Sequence, residues 1–246
     1  MKLSKQEKAA RRAAFRAMSP AKKAEYVFSY YKWPILLGLV ALVVLGSALH
    51  RQLTRKEPVL CLAFANVAVG EDLEKELTGG FLRSIGANER KQEVYLYRDL
   101  YLSDNADALD HEYAYASKMK LMGAVSARKL DVVLMNREAY DLLSRNGYLL
   151  ELSPSFFAES PELYERLLSN ISENEVVLSD NSIAYQLGEA ETHEVDTETV
   201  QNAIAVSGLP LFARAGFPEE VYIGVIANSD RLPACMQFFI YLSAKA

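Results

Sequence analysis

The sequence predicts an α/β protein in which an N-terminal transmembrane helix precedes a mainly parallel sheet with crossover helices. Two observations support this prediction. Residues 35–49 carry no charge and are almost entirely apolar, and they follow a basic segment. Beyond them, short apolar runs alternate three times with stretches of helical periodicity, which is the pattern of parallel strands joined by helices.

Residues 26–50 are predicted to form a transmembrane anchor. The uncharged stretch alone is short for a hydrocarbon core of ~30 Å, but upstream aromatic residues are suited to the membrane interface. These are Tyr26, Phe28, Tyr30, Tyr31 and Trp33. Ser19 and Pro20 predict the start of the helix. A cleaved signal peptide ending near residues 46–48 is the alternative.

The charge distribution predicts how this anchor is oriented. Residues 1–33 contain nine Lys or Arg and two Glu, whereas the remainder of the chain is acidic. The positive-inside rule therefore predicts a cytosolic head of residues 1–25, a single pass through the cell membrane, and an extracytoplasmic C-terminal domain. The acidic domain lacks the basic patch that nucleic-acid binding requires, so no nucleic-acid partner is expected.

A polar linker, residues 51–57, leads to the strand–helix alternation. The predicted strands are residues 59–66, 93–97 and 131–136, and the predicted helices are residues 72–85, 107–128 and 137–147. Asp107 and Asp110 favour the start of the second helix. Asn146 and Gly147 predict the end of the third. The first strand is apolar throughout, as in strands buried on both faces of a sheet.

After residue 153 the pattern changes. Pro161 begins a predicted helix that extends to residue 168. Asp180 and Asn181 lie between two short runs and suggest a hairpin. The remaining predicted segments are an acidic loop at 189–198, a helix at 197–208 and a buried strand at 221–227.

The last segment predicts a helix that packs on the domain. Asn228, Ser229 and Asp230 form a helix-capping stretch after the strand. The residues that follow place one apolar stripe on one helix face, at steps of three, four and three. The stripe consists of Leu232, Cys235, Phe239 and Leu242.

Three segments resemble bacterial extracellular solute-binding proteins, the binding components of ABC importers. They are "EDLEKELTGGFLRSIGANERKQEVYLY", "LDVVLMNREAYDLLSRNGYLLEL" and "VYIGVIANSDRLPACMQFFIYL". The resemblance implies a reduced, type II periplasmic-binding-protein-like fold with two α/β lobes, a hinge and a ligand cleft. Residues 58–153 and 221–246 would form the first lobe, and residues 154–220 a small second lobe.

No catalytic constellation is present in the sequence, so neither an enzyme nor a cofactor is predicted. The three histidines, His50, His111 and His193, lie far apart, and no metal site is expected. Cys61 and Cys235 could form a disulfide outside the cell or remain buried thiols.

Ligands of open α/β sheets bind outside the carboxyl ends of the strands. The predicted ligand-binding residues follow from this rule, with Tyr97 added as an aromatic platform and one residue from the second lobe. They are Asn66, Tyr97, Arg98, Asp99, Asn136 and Arg214. The alternatives are that these polar residues cap turns and helices, and that the tyrosines pack in the core.

Two functions follow as hypotheses. The first is a membrane-anchored extracytoplasmic domain that captures a small solute, such as a sugar or peptide, for uptake or sensing. The second is a degenerate binding fold that acts as a membrane-tethered scaffold or interaction domain without a small ligand. The expected partners are accordingly the membrane, a small solute and a membrane protein.

Overall fold

The computed structural model describes residues 14, 16–54, 56–104, 110–187 and 192–244. The chain divides into two compact units, Met1–Arg55 and Lys56–Ala246, which are treated separately below. Some predicted features lie outside the described residues: the first half of the basic head, the helix start at residue 107, and residues 189–191 of the acidic loop.

The first unit contains the helix α1 (Pro20–Thr54), which starts at the predicted proline. The N–H of Lys23 donates to the carbonyl of Ser19 at 2.9 Å. Among the helices that the structure describes, none has both the length and the apolar character that crossing a membrane requires. This finding contradicts the predicted transmembrane anchor, and with it the single-pass cell-membrane location and the extracytoplasmic placement of the domain.

The physical reason lies in the length of the apolar stretch. The uncharged and almost entirely apolar stretch of the sequence is residues 35–49. At 1.5 Å per residue a helix of that length spans ~22 Å, short of a hydrocarbon core of ~30 Å.

The second unit is built on one six-stranded sheet. Its strands are β1 (Glu57–Ala65), β2 (Gln92–Leu100), β3 (Val132–Asn136), β4 (Ile171–Asp180), β5 (Val195–Ala205) and β6 (Val221–Val225). The strand order is β2-β1-β3-β6-β5-β4. The three strands predicted before residue 153 are confirmed as β1 to β3, and the strand predicted at 221–227 is confirmed as β6.

The sheet is mixed, and this corrects the predicted fold class. β1 pairs in parallel with both β2 and β3, as the crossover pattern predicts. β6, β5 and β4 then add in antiparallel pairings. Because β4 and β5 extend the same sheet, the prediction of two lobes with a mainly parallel sheet is wrong.

Helices cover both faces of the sheet. They are α2 (Glu71–Lys75), which continues through a π-helical turn (Glu76–Gly80) into α3 (Phe81–Ser84), then α4 (His111–Ser126), α5 (Arg137–Arg145), α6 (Pro161–Leu167), α7 (Ser182–Gln186) and α8 (Leu232–Ala244). Along β1, Leu60, Leu62 and Phe64 pack in one core, whereas Ala63 and Ala65 pack in the other. The prediction that β1 is buried on both faces is therefore confirmed.

The segment after β4 differs from the prediction. Residues 182–186 form the short helix α7 instead of a second hairpin strand, and residues 195–205 form β5 instead of a loop and a helix. β4 pairs with β5 along its whole length, with Asp180 opposite Val195. β5, however, pairs with β6 only at Ile204 and Ala205. We name the pair of β4 and β5 the ribbon. Its inner half belongs to the sheet, and its outer half extends beyond the other strands.

The C-terminal helix α8 packs on the sheet as predicted. Cys235, Phe239 and Leu242 are buried, and Phe238 adds to the same core. The ring of Phe238 meets that of Phe81 edge-on, with centroids 5.0 Å apart. Both cysteines are buried free thiols, so the alternative of a disulfide is excluded in this structure.

Candidate functional site

The carboxyl ends of β1, β2 and β3 share one edge of the sheet because these strands are parallel. β6 is antiparallel to β3, with Val221 opposite Asn136, so the chain enters β6 at the same edge. The structure therefore brings Asn66, Asp99 and Asn136 to one edge, where the ligand-binding rule places them.

Asn66 holds the loop that follows β2. Its side chain accepts a hydrogen bond from the N–H of Leu102 at 2.6 Å and donates to the carbonyl of Leu102 at 2.7 Å. Its backbone has a φ of 57°, a left-handed conformation that Asn tolerates better than most residues. Both ends of its amide are thus bonded within the fold.

Asn136 caps helix α5. Its Oδ1 accepts from the N–H of Ala139 at 3.0 Å, and its Nδ2 donates to Glu219 Oε1 at 3.1 Å. Close by, Ser103 Oγ donates to Glu138 Oε1 at 2.6 Å. These bonds join the segments that follow β2 and β3 to the segment that precedes β6.

Arg98 is bonded to helix α2. Its guanidinium donates to both carboxylate oxygens of Glu74, at 2.6 and 2.8 Å. This bidentate hydrogen bonding lowers the pKa of the Glu74 carboxyl and raises the pKa of Arg98. At the neighbouring position, the carbonyl of Asp99 accepts a hydrogen bond from the Tyr113 hydroxyl.

The remaining two predicted ligand-binding residues, Tyr97 and Arg214, take no part in the hydrogen bonds described above. Tyr97 lies within β2, where its ring meets that of Tyr95 at a centroid distance of 5.0 Å. Burial raises the pKa of the Tyr97 hydroxyl. Arg214 is exposed between the 3-10 turn Pro210–Phe212 and β6. Within the described residues it makes no hydrogen bond to the other five.

A further bonded polar residue is Asp131, which was not among the residues predicted from the sequence. It is fully buried at the start of β3. Its carboxylate accepts from the N–H of Cys61 at 2.7 Å, from Ser229 Oγ at 2.7 Å and from Arg231 Nη1 at 3.0 Å. The signal that could have revealed it is an aspartate directly before a fully apolar strand, together with the Ser and Arg that precede α8.

The charge of Asp131 influences the pKa of both cysteines. Burial raises the pKa of the Cys61 thiol to about 11, and the negative charge of Asp131 adds to the effect. Burial likewise raises the pKa of Cys235 to about 12. Thiols with such pKa values stay protonated at neutral pH, so this cluster has the properties of a structural centre and not of a nucleophilic one.

A second buried network joins α5 to the β4–β5 pair. The Tyr140 hydroxyl donates to Asn202 Oδ1 at 2.8 Å, and Asn202 Nδ2 donates to Ser144 Oγ at 2.8 Å. Ser144 in turn donates to the carbonyl of Glu175 at 2.8 Å. The inner half of the ribbon is therefore fixed to the body of the domain.

The outer end of the ribbon exposes a group of large apolar side chains, which we name the ribbon tip. Pairing of Asp180 with Val195 brings the end of β4, helix α7 and the start of β5 together. Ile183 is 72% exposed and Leu187 68%. The ribbon tip consists of Leu178, Ile183, Tyr185, Leu187 and Val195.

A shallow groove of about 290 Å³ lies elsewhere, between the start of α6 and Ile240 of α8. Its polar lining residues are Glu159, Ser160, Glu162 and Arg166. None of the predicted ligand-binding residues lines it. Over the part of the chain that the structure describes, no three His, Cys, Asp or Glu side chains are grouped so that they could hold a metal ion.

Neither a protein-family model nor a curated protein matches the chain. The resemblance to solute-binding proteins and the absence of an enzymatic activity therefore stay predictions.

Proposed function

We propose that residues 56–246 form an interaction domain that binds a protein partner through the ribbon tip. The observation that carries the proposal is the exposure of five large apolar side chains at one end of the ribbon. A contiguous group of exposed apolar side chains marks an interaction site, whereas single exposed apolar side chains are normal on protein surfaces. The ribbon is well suited to presenting them because its inner half is bonded to α5.

The bonding at the carboxyl edge of the sheet also favours this function over capture of a solute there. Asn66, Arg98 and Asn136 already bond to groups of the fold. A small ligand at that edge would have to replace these bonds, which contribute about 0.5–1.5 kcal/mol each, and about 1.5–3 kcal/mol where a charged group takes part.

Site-specific photocrosslinking in the full-length chain tests the proposal. A photoreactive amino acid replaces Leu187 at the ribbon tip in one variant and the exposed Glu165 of α6 in a matched control. In cells that produce the protein, we expect a discrete crosslinked species from position 187 that is absent from position 165. The same pattern at both positions, or no crosslink at position 187, would overturn the proposal.

A second candidate function, capture of a small solute, is favoured by one observation. Tyr95 is 47% exposed and meets Tyr97 edge-on, and Lys120 Nζ lies over the Tyr97 ring at 5.9 Å from its centroid. Aromatic faces next to a cation suit flat or amphipathic ligands that carry a polar or anionic group.

A thermal-shift screen of the full-length chain against sugars, amino acids and short peptides tests this second function. A ligand at a hundred times its Kd adds about 2.7 kcal/mol to the stability. We expect that shift to be lost in Tyr95→Ala if the tyrosines bind the solute. The second function is discarded if no compound stabilises the protein.

A further inference from the structure

The segment that forms the ribbon and helix α7 carries acidic side chains and no Lys or Arg. Residues 171–205 contain eight Asp or Glu and no Lys or Arg. The described carboxylates bond only to uncharged groups or to histidine. Glu173 accepts from Gln201, Glu194 accepts from Thr192, and Asp180 faces Ser182 and His193. In the described part of the chain, no Lys or Arg forms an ion pair with a carboxylate of this segment.

The carboxylates lie next to the apolar side chains of the ribbon tip. Asp196 pairs across the ribbon with Ser179, and Glu198 pairs with Val176. Both residues are therefore within a few positions of Leu178 and Val195 along the strands, but alternation along β5 places them on the face of the ribbon opposite Val195. Asp180 pairs with Val195 and shares its face. The surface thus combines exposed apolar side chains with negative charge that the fold leaves uncompensated.

We infer that the partner presents a cationic amphipathic segment, in which Lys or Arg side chains alternate with large apolar ones. This inference rests on the proposed function and specifies the chemistry of its partner. The apolar side chains of the segment would cover the ribbon tip, and its cations would be attracted by the carboxylates on both faces of the ribbon, within a Debye length of about 8–10 Å. These carboxylates are Asp180, Glu194, Asp196 and Glu198. Complementary charge speeds the encounter and selects against acidic partners, while apolar burial supplies most of the affinity.

Three synthetic peptides of equal length test the inference against the full-length protein by fluorescence anisotropy. One contains Lys and Leu, one Glu and Leu, and one Lys and Ser. We expect binding of the Lys–Leu peptide that weakens as salt is raised, because screening reduces exposed charge pairs. The Glu–Leu and Lys–Ser peptides are each expected to bind at least about tenfold more weakly, a difference of ~1.4 kcal/mol. Equal binding of all three peptides would overturn the inference.

Variants locate the binding. Ile183→Ser combined with Leu187→Ser removes apolar contacts at the ribbon tip and is expected to weaken the Lys–Leu peptide at least about tenfold. Asp196→Asn combined with Glu198→Gln is expected to reduce the salt dependence. Leu168→Ser is the matched control. Leu168 is also exposed, but it lies just before the start of β4, at the end of this strand away from the ribbon tip, so binding is expected to stay unchanged. Substitutions at such exposed positions change stability by about 0.5 kcal/mol or less.

The outcomes separate this inference from the proposed function. A crosslink at position 187 without binding of the Lys–Leu peptide keeps the interaction domain and rejects the cationic partner. Absence of the crosslink rejects both. Concentration-dependent self-association that is lost in the Ile183→Ser, Leu187→Ser variant would assign the ribbon tip to a second copy of the chain and would also overturn the inference.

Discussion

At the scale of single residues, Asp131 holds together three parts of the chain that are distant in sequence. It receives hydrogen bonds from the backbone of Cys61 in β1 and from Ser229 and Arg231, which both precede the C-terminal helix. Its own backbone also bonds to Cys61 and to Ile226. A buried carboxylate is tolerated here because one cation and two further donors compensate for the loss of water.

We predict that removing only the cation is more harmful than removing both charges. Arg231→Met leaves the Asp131 carboxylate buried without a cation and is expected to lower the free energy of unfolding by about 3 kcal/mol, because Arg231 is partly exposed and the usual range is 3–5 kcal/mol. The double variant Asp131→Asn, Arg231→Met is expected to lose less. Urea denaturation followed by circular dichroism measures both.

The exposed ion pair of Arg128 with Asp230, at 2.8 Å, is the control. Arg128→Met is expected to lower the free energy of unfolding by less than about 1 kcal/mol, because exposed pairs contribute little. If Arg231→Met costs no more than this control, the central role of Asp131 is refuted.

The two cysteines provide a second prediction at this scale. Because both thiols are buried and their pKa values are raised to about 11 and about 12, a thiol-reactive reagent at pH 8 is expected to label neither in the folded protein. Both are expected to react in denaturing urea, as mass spectrometry of the labelled protein would show. Rapid labelling of Cys61 before unfolding would contradict the burial described above.

At the scale of elements, the π-helical turn between α2 and α3 accommodates a close approach of α8. The Tyr241 hydroxyl bonds to the carbonyl of Glu76 at 3.0 Å, and a Cβ atom on Gly80 would clash with that hydroxyl oxygen and with Glu76 Oε2. Gly80 has an ordinary helical φ of −60°. Glycine is therefore required at position 80 because there is no room for a side chain, and not because of the backbone conformation.

We predict that Gly80→Ala lowers the free energy of unfolding by about 1–3 kcal/mol through overpacking, although Ala is the better helix former. Gly79→Ala is the matched control, because its Cβ would meet only the flexible end of Arg83 at 3.2 Å. Adding Tyr241→Phe to Gly80→Ala is expected to restore part of the loss. Thermal unfolding of the four proteins measures these differences, and equal effects at positions 79 and 80 would exclude the proposed clash.

The hydrogen-bonded ion pair of Glu74 in α2 with Arg98 in β2 predicts that the stability of the fold depends on pH. The pKa of Glu74 is lowered by Arg98, so the pair stabilises the fold above the ordinary carboxyl pKa of Glu74 and loses this effect as the pH falls through the lowered value. Glu74→Gln is expected to cost up to about 1 kcal/mol at pH 7 and less at about pH 2. Urea denaturation at both pH values is the measurement.

Glu89→Gln is the control for this pair, since Glu89 makes only a single 3.6 Å contact with Arg83. It is expected to have a smaller effect at pH 7. A Glu74→Gln effect of the same size at both pH values would show that the charge of Glu74 is not what stabilises the fold.

Elements were predictable where one physical signal dominates. The apolar runs of β1, β3 and β6, and the stripe of α8, reflect burial, which sequence periodicity records directly. β5 was assigned to a loop and a helix because its outer half is exposed and acidic. Only the β-branched residues Val195, Thr197 and Thr199 favoured a strand there, and pairing with β4 decides the outcome.

For the whole molecule, the candidate site was predictable in position but not in its bonding. The parallel strands bring Asn66, Asp99 and Asn136 to one edge, as the sequence rule implies. Their bonding partners, among them Leu102 and Glu219, are remote in sequence and could not be inferred from it. The ribbon tip was not predicted, because its exposure follows from how far β4 and β5 extend beyond β6.

The single sheet predicts an uneven pattern of stability. Amide hydrogen exchange is expected to be slowest in β1 and β3, which are central and buried on both faces, and fastest in the outer half of the ribbon, residues 176–180 and 195–199. Mass spectrometry of peptides from the exchanged protein measures this gradient. Equal protection of the ribbon and β1 would be inconsistent with a ribbon that extends into solvent.

The order of strands in the sheet has a consequence for biosynthesis. β6 lies between β3 and β5, so the pair of β4 and β5 has no neighbour in the sheet until β6 has been added. Since β6 is the last of the six strands to leave the ribosome, the nascent chain holds an incomplete sheet with an open edge on β3 while residues 137–220 are synthesised. Folding on the ribosome is therefore expected to stop at the parallel half, and a chaperone would meet that edge before the native neighbour does.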